Sequence, residues 1–125
     1  MCYVHLNETC LRKYGRELTA SEWIRLGEQA VDAGTLGLTI TGGEPLIRSD
    51  FPEIYTAFTE MGFQITLQTN LSLLDGNLMD LIAERPPMRI KSTLYGATEE
   101  MYEKVCKVKN GLKRVKRGIE NVLHL

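Results

Sequence analysis

Three short apolar segments, separated by helix-forming segments, constrain the fold of this chain more than any other feature. Strand-like segments run over 36–41, 63–69 and 89–94, and their starts lie 27 and 26 residues apart. That spacing is typical of successive βα units, because the connection between two parallel strands needs room for a helix. The sequence therefore predicts an α/β fold, a partial parallel β/α barrel with three parallel strands and outer helices.

The segments between the strands carry helix signals at both ends. Thr19 and Glu22 form a capping-box pattern that opens the first helix, and Gly34 ends it. Asp50 opens a second helix, which has a proline in its first turn and ends at Gly62. Three further helices are predicted, over 77–85, from Thr98 onward, and along the stripe Leu112, Val115, Ile119 and Val122.

Composition excludes several classes of partner. The chain has 125 residues, 43% of them hydrophobic and 25% charged, with a formal net charge of −1. This is ordinary for one globular domain and gives no reason to expect a nucleic-acid or anionic-membrane partner. No apolar run approaches the roughly 20 residues that a membrane-spanning helix needs. The C-terminal basic cluster is predicted to be the solvated face of the last helix; it comprises Lys109, Lys113, Arg114, Lys116 and Arg117.

The cysteines point to a reducing compartment. Cys2, Cys10 and Cys106 are too few, and odd in number, for a disulfide framework, so we expect a cytoplasmic protein. Cys106 falls within the fourth predicted helix, where we expect it to be a small buried hydrophobic residue. On the first helix, the spacing of Trp23 and Leu26 predicts that both belong to the core.

The residues just after each strand are the candidates for function, because ligands of parallel α/β proteins bind beyond the carboxyl ends of the strands. The first strand is followed by Gly42, Gly43, Glu44 and Pro45. Two glycines permit positive φ and a close approach of a ligand to the backbone, and Glu44 adds a carboxylate. This suits the binding of a ligand ammonium group, although an ordinary βα turn accounts for the tetrapeptide equally well.

The longer motifs resemble the radical S-adenosylmethionine (SAM) superfamily. Met1-Cys2-Tyr3 is followed, in the family's order, by TGGEPLIRSDFPEIY, LQTNLSLL and STLYGATEEMYEKV. The likeness extends over nearly the whole chain, and the GGEP stretch with the helix after it is its most specific part. The segment from Leu94 to Thr98, together with Met101-Tyr102-Glu103, is similar to members with a SPASM-type extension that modify peptides, so a peptide or protein is the expected substrate.

The resemblance implies a SAM site and an iron–sulfur cluster. Members hold a [4Fe–4S] cluster with a C-x3-C-x2-C motif, and Cys2 matches the last of its cysteines, with Tyr3 beside it in the cofactor site. Gly42, Gly43 and Glu44, followed by Pro45, match the contacts to the methionyl amine of SAM. Two further positions match polar residues of the SAM pocket: the pair Thr69 and Asn70, and Thr93, which would face the SAM carboxylate or ribose.

The implied activity is reductive cleavage of SAM to a 5′-deoxyadenosyl radical that abstracts hydrogen from the substrate. Three departures qualify it. Leu71 replaces the glycine that the family usually has after the residue matching Asn70. The two earlier cluster cysteines and the first strand of the barrel are missing from the sequence, and so are the last strands of the barrel. We therefore expect residues 1–125 to be an incomplete core domain, not competent alone and prone to self-association through open strand edges. Two alternatives stay open: a non-catalytic half-barrel that serves as a binding module or scaffold, and an unrelated α/β enzyme.

Overall fold

The computed structural model describes residues 15–124, in which three parallel strands form one sheet flanked by helices. The strands are β1 (Gly37–Ile40), β2 (Gln64–Gln68) and β3 (Arg89–Lys91), in the order β1-β2-β3. The described helices are α1 (Ala20–Asp32), α2 (Phe51–Glu60), α3 (Gly76–Glu84), α4 (Glu99–Cys106) and α5 (Gly111–Leu123), and a short 3-10 turn spans Pro45–Ile47. The predicted α/β fold is confirmed.

The register of the sheet aligns the carboxyl ends of all three strands. Thr39 of β1 lies opposite Thr66 of β2, and Thr66 in turn lies opposite Arg89 of β3. The third strand ends at Lys91, three residues earlier than predicted, so Thr93 lies in the loop that follows it. The loops after the three strands therefore meet at one edge of the sheet.

Local sequence signals set most of the helix boundaries. Thr19 and Glu22 form the predicted capping box, and the side chain of Thr98 accepts a hydrogen bond from the Met101 amide at the start of α4. Gly34 and Gly62 follow α1 and α2 with φ of +80° and +84°, values that glycine adopts without strain.

Asp50 precedes α2 as predicted, but its side chain does not cap the helix. The Asp50 carboxylate instead accepts two hydrogen bonds from Arg48, at 2.9 and 2.8 Å, and these lower the pKa of Asp50. Arg48 also binds the Glu17 carboxylate at 2.8 Å and the Leu18 carbonyl at 2.9 Å. This arginine therefore ties the segment before α1 to the start of α2.

The main core lies between β2 and the helices. Ile65 and Leu67 of β2 are fully buried, and Phe51 and Tyr55 of α2 stack with ring centroids 5.4 Å apart. The Tyr55 hydroxyl donates a 2.6 Å hydrogen bond to the Arg85 carbonyl, and burial raises the pKa of Tyr55 to about 12. Tyr55 therefore joins the first βα unit to the end of α3.

The expectation that Trp23 and Leu26 belong to the core is wrong. Their side chains are 39% and 43% exposed. Helix α1 packs on α2 through the side that carries Gly27, whose missing Cβ would lie 2.7 Å from the Phe58 ring and 3.0 Å from the Met61 sulfur. Apolar spacing alone could not show which side of α1 the rest of the fold covers.

A second cluster joins α4 to α5 through Tyr102, Leu112 and Val115. Asn110 precedes α5 with φ of +55°, and its side chain makes no capping hydrogen bond. Glu99 of α4 replaces that cap, because its Oε2 accepts a hydrogen bond from the Lys113 amide at 3.2 Å. The last two helices are thus connected by side-chain packing and by a cap that one helix supplies to the other.

Candidate functional site

A cavity of about 470 Å³ opens at the carboxyl edge of the sheet. The loops after β1, β2 and β3 form one side of it, and α4 and α5 form the other. Six of the nine residues predicted for the site line this cavity: Gly42, Gly43, Glu44, Thr69, Asn70 and Thr93. A volume of this size is typical of sites for small molecules.

Gly42 and Gly43 expose the backbone of the loop after β1. Gly42 has φ of +150°, in a region that side chains disfavour, whereas Gly43 does not have positive φ. A Cβ added at either glycine would meet nothing within 4 Å. Pro45 lies outside the cavity lining; it is buried and opens the 3-10 turn that leads toward α2. The backbone of this loop is therefore exposed at the two glycines, and Pro45 restricts the backbone where the chain leaves the loop.

The Glu44 carboxylate connects the loops after β1 and β2. Its Oε1 accepts hydrogen bonds from the Thr69 hydroxyl at 2.6 Å and from the Leu46 amide at 3.1 Å. Its Oε2 accepts from the Asn70 amide at 2.8 Å. A carboxylate has about four acceptor positions, so this pattern leaves capacity on Oε2 for one more donor. We call the contacts of Glu44 with Thr69 and Asn70 the carboxylate clasp.

The loop after β2 is held by local hydrogen bonds. The Thr69 hydroxyl accepts from the Leu71 amide at 3.1 Å, and the Asn70 Oδ1 accepts from the Ser72 amide at 2.8 Å. Leu71 has φ of +64°, which is uncommon for a residue other than glycine. The turn therefore keeps a left-handed residue at the position where the resemblance leads one to expect glycine.

Helix α5 packs directly on this turn. A Cβ added at Gly118 would lie 2.1 Å from the Leu71 carbonyl oxygen and 2.9 Å from the Leu71 Cβ. Only a glycine permits so close an approach of helix and loop. Since Arg114 and Val115 of the same helix line the cavity, the contact between Gly118 and Leu71 helps to set the position of that wall.

The wall formed by α4 and α5 contains residues that sequence reasoning did not assign to the site. Tyr102, Cys106 and Arg114 line the cavity, and so does Tyr95 in the loop after β3. The rings of Tyr95 and Tyr102 meet edge to face at 6.3 Å, and burial raises the pKa of Tyr102, with Cys106 as a further cause. Cys106 lies in α4 as predicted and packs against the cluster of Tyr102, Leu112 and Val115, but it is only half-buried rather than buried.

The cavity lining carries charges of both signs. Glu44 supplies a carboxylate on the side of the first two loops, while Lys91 and Arg114 supply cationic groups elsewhere in the lining. The Arg114 Nη2 donates to the Lys109 carbonyl at 3.3 Å. Such a cavity suits a ligand that carries both an ammonium and a carboxylate group.

The predicted cluster ligand Cys2 and its neighbour Tyr3 lie outside the described residues. Within residues 15–124, no group of three or more His, Cys, Asp or Glu side chains is placed to hold a metal ion. The described residues therefore do not by themselves fit an iron–sulfur cluster, whose protein ligation needs three thiolates. In the same part of the chain, no helix is both long and apolar enough to cross a membrane.

Comparison with known proteins adds a family and several relatives. The family model described as Radical SAM superfamily matches residues 1–125. A protein named PqqA peptide cyclase from Granulibacter bethesdensis is 34% identical over 70 residues, which cover 56% of this chain and 19% of that protein. A protein of the same name from Rhizobium meliloti is 30% identical over 108 residues, which cover 86% of this chain and 29% of that protein. A third, from Bradyrhizobium diazoefficiens, is 26% identical over 104 residues, covering 83% and 27%. The chain thus spans less than a third of the length of these relatives. No solved structure is significantly similar to it.

Proposed function

Because the chain belongs to the radical SAM superfamily, we propose that it forms the SAM-binding part of an enzyme that modifies a peptide. The observation that carries the proposal is the convergence of Gly42, Gly43, Glu44, Thr69, Asn70 and Thr93 on one cavity at the carboxyl edge of the sheet. The relatives named PqqA peptide cyclase support the peptide as substrate class.

The residues present fit SAM by their chemistry. Gly42 and Gly43 are exposed residues of the cavity lining, and their backbone carbonyls, with the remaining acceptor capacity of Glu44, would hold the methionyl ammonium. Thr93 would face the carboxylate or the ribose. When bound and reductively cleaved, SAM supplies a 5′-deoxyadenosyl radical for hydrogen abstraction. Thr69 and Asn70 act on the ligand by holding Glu44 and by lining the cavity.

A [4Fe–4S] cluster belongs to the same proposal through Cys2. Cys2 would be one of three thiolate ligands, with Tyr3 beside it, and the other two thiolates would come from outside these 125 residues. We accordingly propose that this chain alone does not cleave SAM.

The proposal can be tested by calorimetric titration of SAM into the anaerobically reconstituted protein that contains this chain. Gly43→Val is the most informative variant, because the surrounding space is open and φ is not positive, so the fold should tolerate it. We expect SAM affinity to fall about tenfold or more, with a melting temperature close to that of the wild type. Glu44→Gln keeps the shape but removes the charge and replaces one acceptor of the carboxylate clasp by a donor, so it should also weaken SAM binding.

Thr66→Val is the matched control, since Thr66 is half-buried on β2 but does not line the cavity. It should bind SAM like the wild type. In the same series, Cys2→Ser should lower the iron and sulfide content. Unaltered SAM binding by Gly43→Val would mean that the glycine turn is only structural and that the site lies elsewhere.

Self-association is also proposed, on the evidence of open edges. Within residues 15–124, β1 and β3 each pair only with β2. Among the described residues, Leu36 next to β1 is 77% exposed, and Trp23 and Leu26 of α1 are also exposed. Unpaired strand edges next to apolar surface favour pairing with another chain. We propose that the 125-residue chain associates with a second copy through this side.

A further inference from the structure

A second concavity, about 670 Å³ in volume, lies between the start of α4 and the outer face of α5, and Arg114 lines both it and the cavity at the sheet edge. We call it the α4–α5 groove. We propose that this groove binds an acidic segment of the peptide substrate while a neighbouring part of the same peptide reaches the cavity at the sheet edge past Arg114. The inference rests on the proposed function, because it takes the substrate to be a peptide.

The charge of the groove selects an acidic ligand. Its lining contains the basic residues Lys113, Arg114, Lys116 and Arg117 and the acidic residues Glu99 and Glu120. Arg117 is paired with Asp75 at 2.6 Å, whereas Lys113 and Lys116 form no ion pair with any of residues 15–124. Two exposed ammonium groups are therefore available to carboxylates of a partner.

The basic character extends beyond the groove. Residues 89–125 contain nine Lys or Arg and four Asp or Glu, a balance of +5, whereas residues 1–88 contain six and twelve, a balance of −6. The near-neutral total conceals this division. An acidic peptide would thus be attracted to the basic C-terminal part of the chain, to which α5 belongs.

Glu99 favours a peptide over another polyanion. Its Oε2 caps α5, but its Oε1 is buried and has no hydrogen-bond partner within the described residues. A buried carboxylate oxygen without a donor is costly, and a ligand that brings an N–H group removes the cost. A peptide backbone carries such donors at nearly every residue, whereas the phosphate backbone of a nucleic acid carries none. Leu112, buried in the lining, adds an apolar contact.

Fluorescence anisotropy with labelled oligomers tests the inference in the protein that contains this chain. The probes are a fluorescein-labelled oligoglutamate peptide, an oligoglutamine peptide of equal length and a single-stranded oligothymidylate with the same number of units. We expect oligoglutamate to bind with strong salt dependence and oligoglutamine to bind at least about tenfold more weakly. The double variant Lys113→Gln/Lys116→Gln should weaken oligoglutamate binding about tenfold, since two exposed charge pairs are lost.

Lys104→Gln/Lys109→Gln is the matched control, because it removes the same charge from exposed positions outside the groove lining. It should change oligoglutamate binding less than about twofold. Equal losses in the two double variants would refute a localised site, and oligothymidylate binding as tightly with the same dependence on Lys113 and Lys116 would refute the peptide assignment. Since oligoglutamate binding needs neither SAM nor a cluster, it should persist in Gly43→Val, which separates this inference from the proposed function.

Discussion

Replacement of Gly118 by alanine tests the contact that connects the last helix to the site. Gly118 lies within α5, and its Cβ position is 2.1 Å from the Leu71 carbonyl oxygen and 3.0 Å from the Leu71 carbonyl carbon. Real Cβ atoms essentially never approach another heavy atom within 3.0 Å. The obstacle is backbone, so no flexible side chain can move aside, and the helix or the turn has to shift by about 1 Å.

Two opposing effects determine the size of the change. Alanine is favoured over glycine in a helix interior by about 1 kcal/mol. Overpacking of a rigid contact costs about 1–3 kcal/mol and occasionally more, and here it includes a displaced loop. Because the overlap is nearly 1 Å and falls on a carbonyl oxygen, we expect the upper part of that range. The free energy of unfolding should therefore fall by about 1–2 kcal/mol after the gain in helix propensity.

Urea denaturation followed by circular dichroism measures this change, and SAM titration shows whether the cavity wall has moved. Glu120→Ala is the control, because Glu120 is exposed on the same helix and should change stability by no more than about 0.5 kcal/mol. Gly118→Ala should also weaken SAM binding, since Arg114 and Val115 would shift with the helix. A Gly118→Ala protein more stable than the wild type would show that α5 does not lie on the Leu71 turn.

Two further predictions concern pH and assembly. The pKa of Tyr55 is raised from 10 to about 12, so its contribution to stability is complete below pH 10 and is lost as pH rises toward 12. Urea denaturation should show a loss of about 2–3 kcal/mol from this group over that interval. Tyr55→Phe should remove that share of the pH dependence and leave the share of other groups, such as Tyr102, whose pKa is also raised. An equal pH slope in Tyr55→Phe would contradict it. Sedimentation velocity at micromolar concentration should show the 125-residue chain as a dimer or a larger species. The double variant Trp23→Lys/Leu36→Lys, which places charges on exposed apolar positions, should shift the population toward monomer. A monomeric wild-type chain would contradict association through the strand edges.

Local signals in the sequence were sufficient for the order and type of the elements. The capping box at Thr19 and Glu22, the glycines that end α1 and α2, and the spacing of the three strands act within a few residues or repeat regularly. Such features depend little on the rest of the chain, which explains why they predicted helices, strands and the edge where the loops meet. Strand ends predicted the position of Gly43 and Glu44, and the family resemblance added Thr69; all three line one cavity.

Features that depend on contacts between distant segments were not predictable in this way. The Asp50 carboxylate looked like a helix cap, but Arg48 competes for it with two hydrogen bonds. Cys106 and Tyr102 turn toward the cavity because α4 packs on α5, and no periodicity indicates which neighbour a helix will have. The prediction for Trp23 was wrong for the same reason, because α1 packs on α2 through the side that carries Gly27.

The carboxylate clasp combines a local motif with a long-range contact, and it changes the role that the sequence suggests for Glu44. From the motif alone, Glu44 is a group that grips a ligand. In the structure, three protein donors already hold it, two of them from a loop 25 and 26 residues away along the chain. A carboxylate fixed in this way loses little further freedom when a ligand ammonium arrives, so the cost of ordering it has been met during folding. If the proposed function is right, Thr69 would affect SAM binding through the position of Glu44, and the glycines would present their carbonyls from a loop that does not need to rearrange.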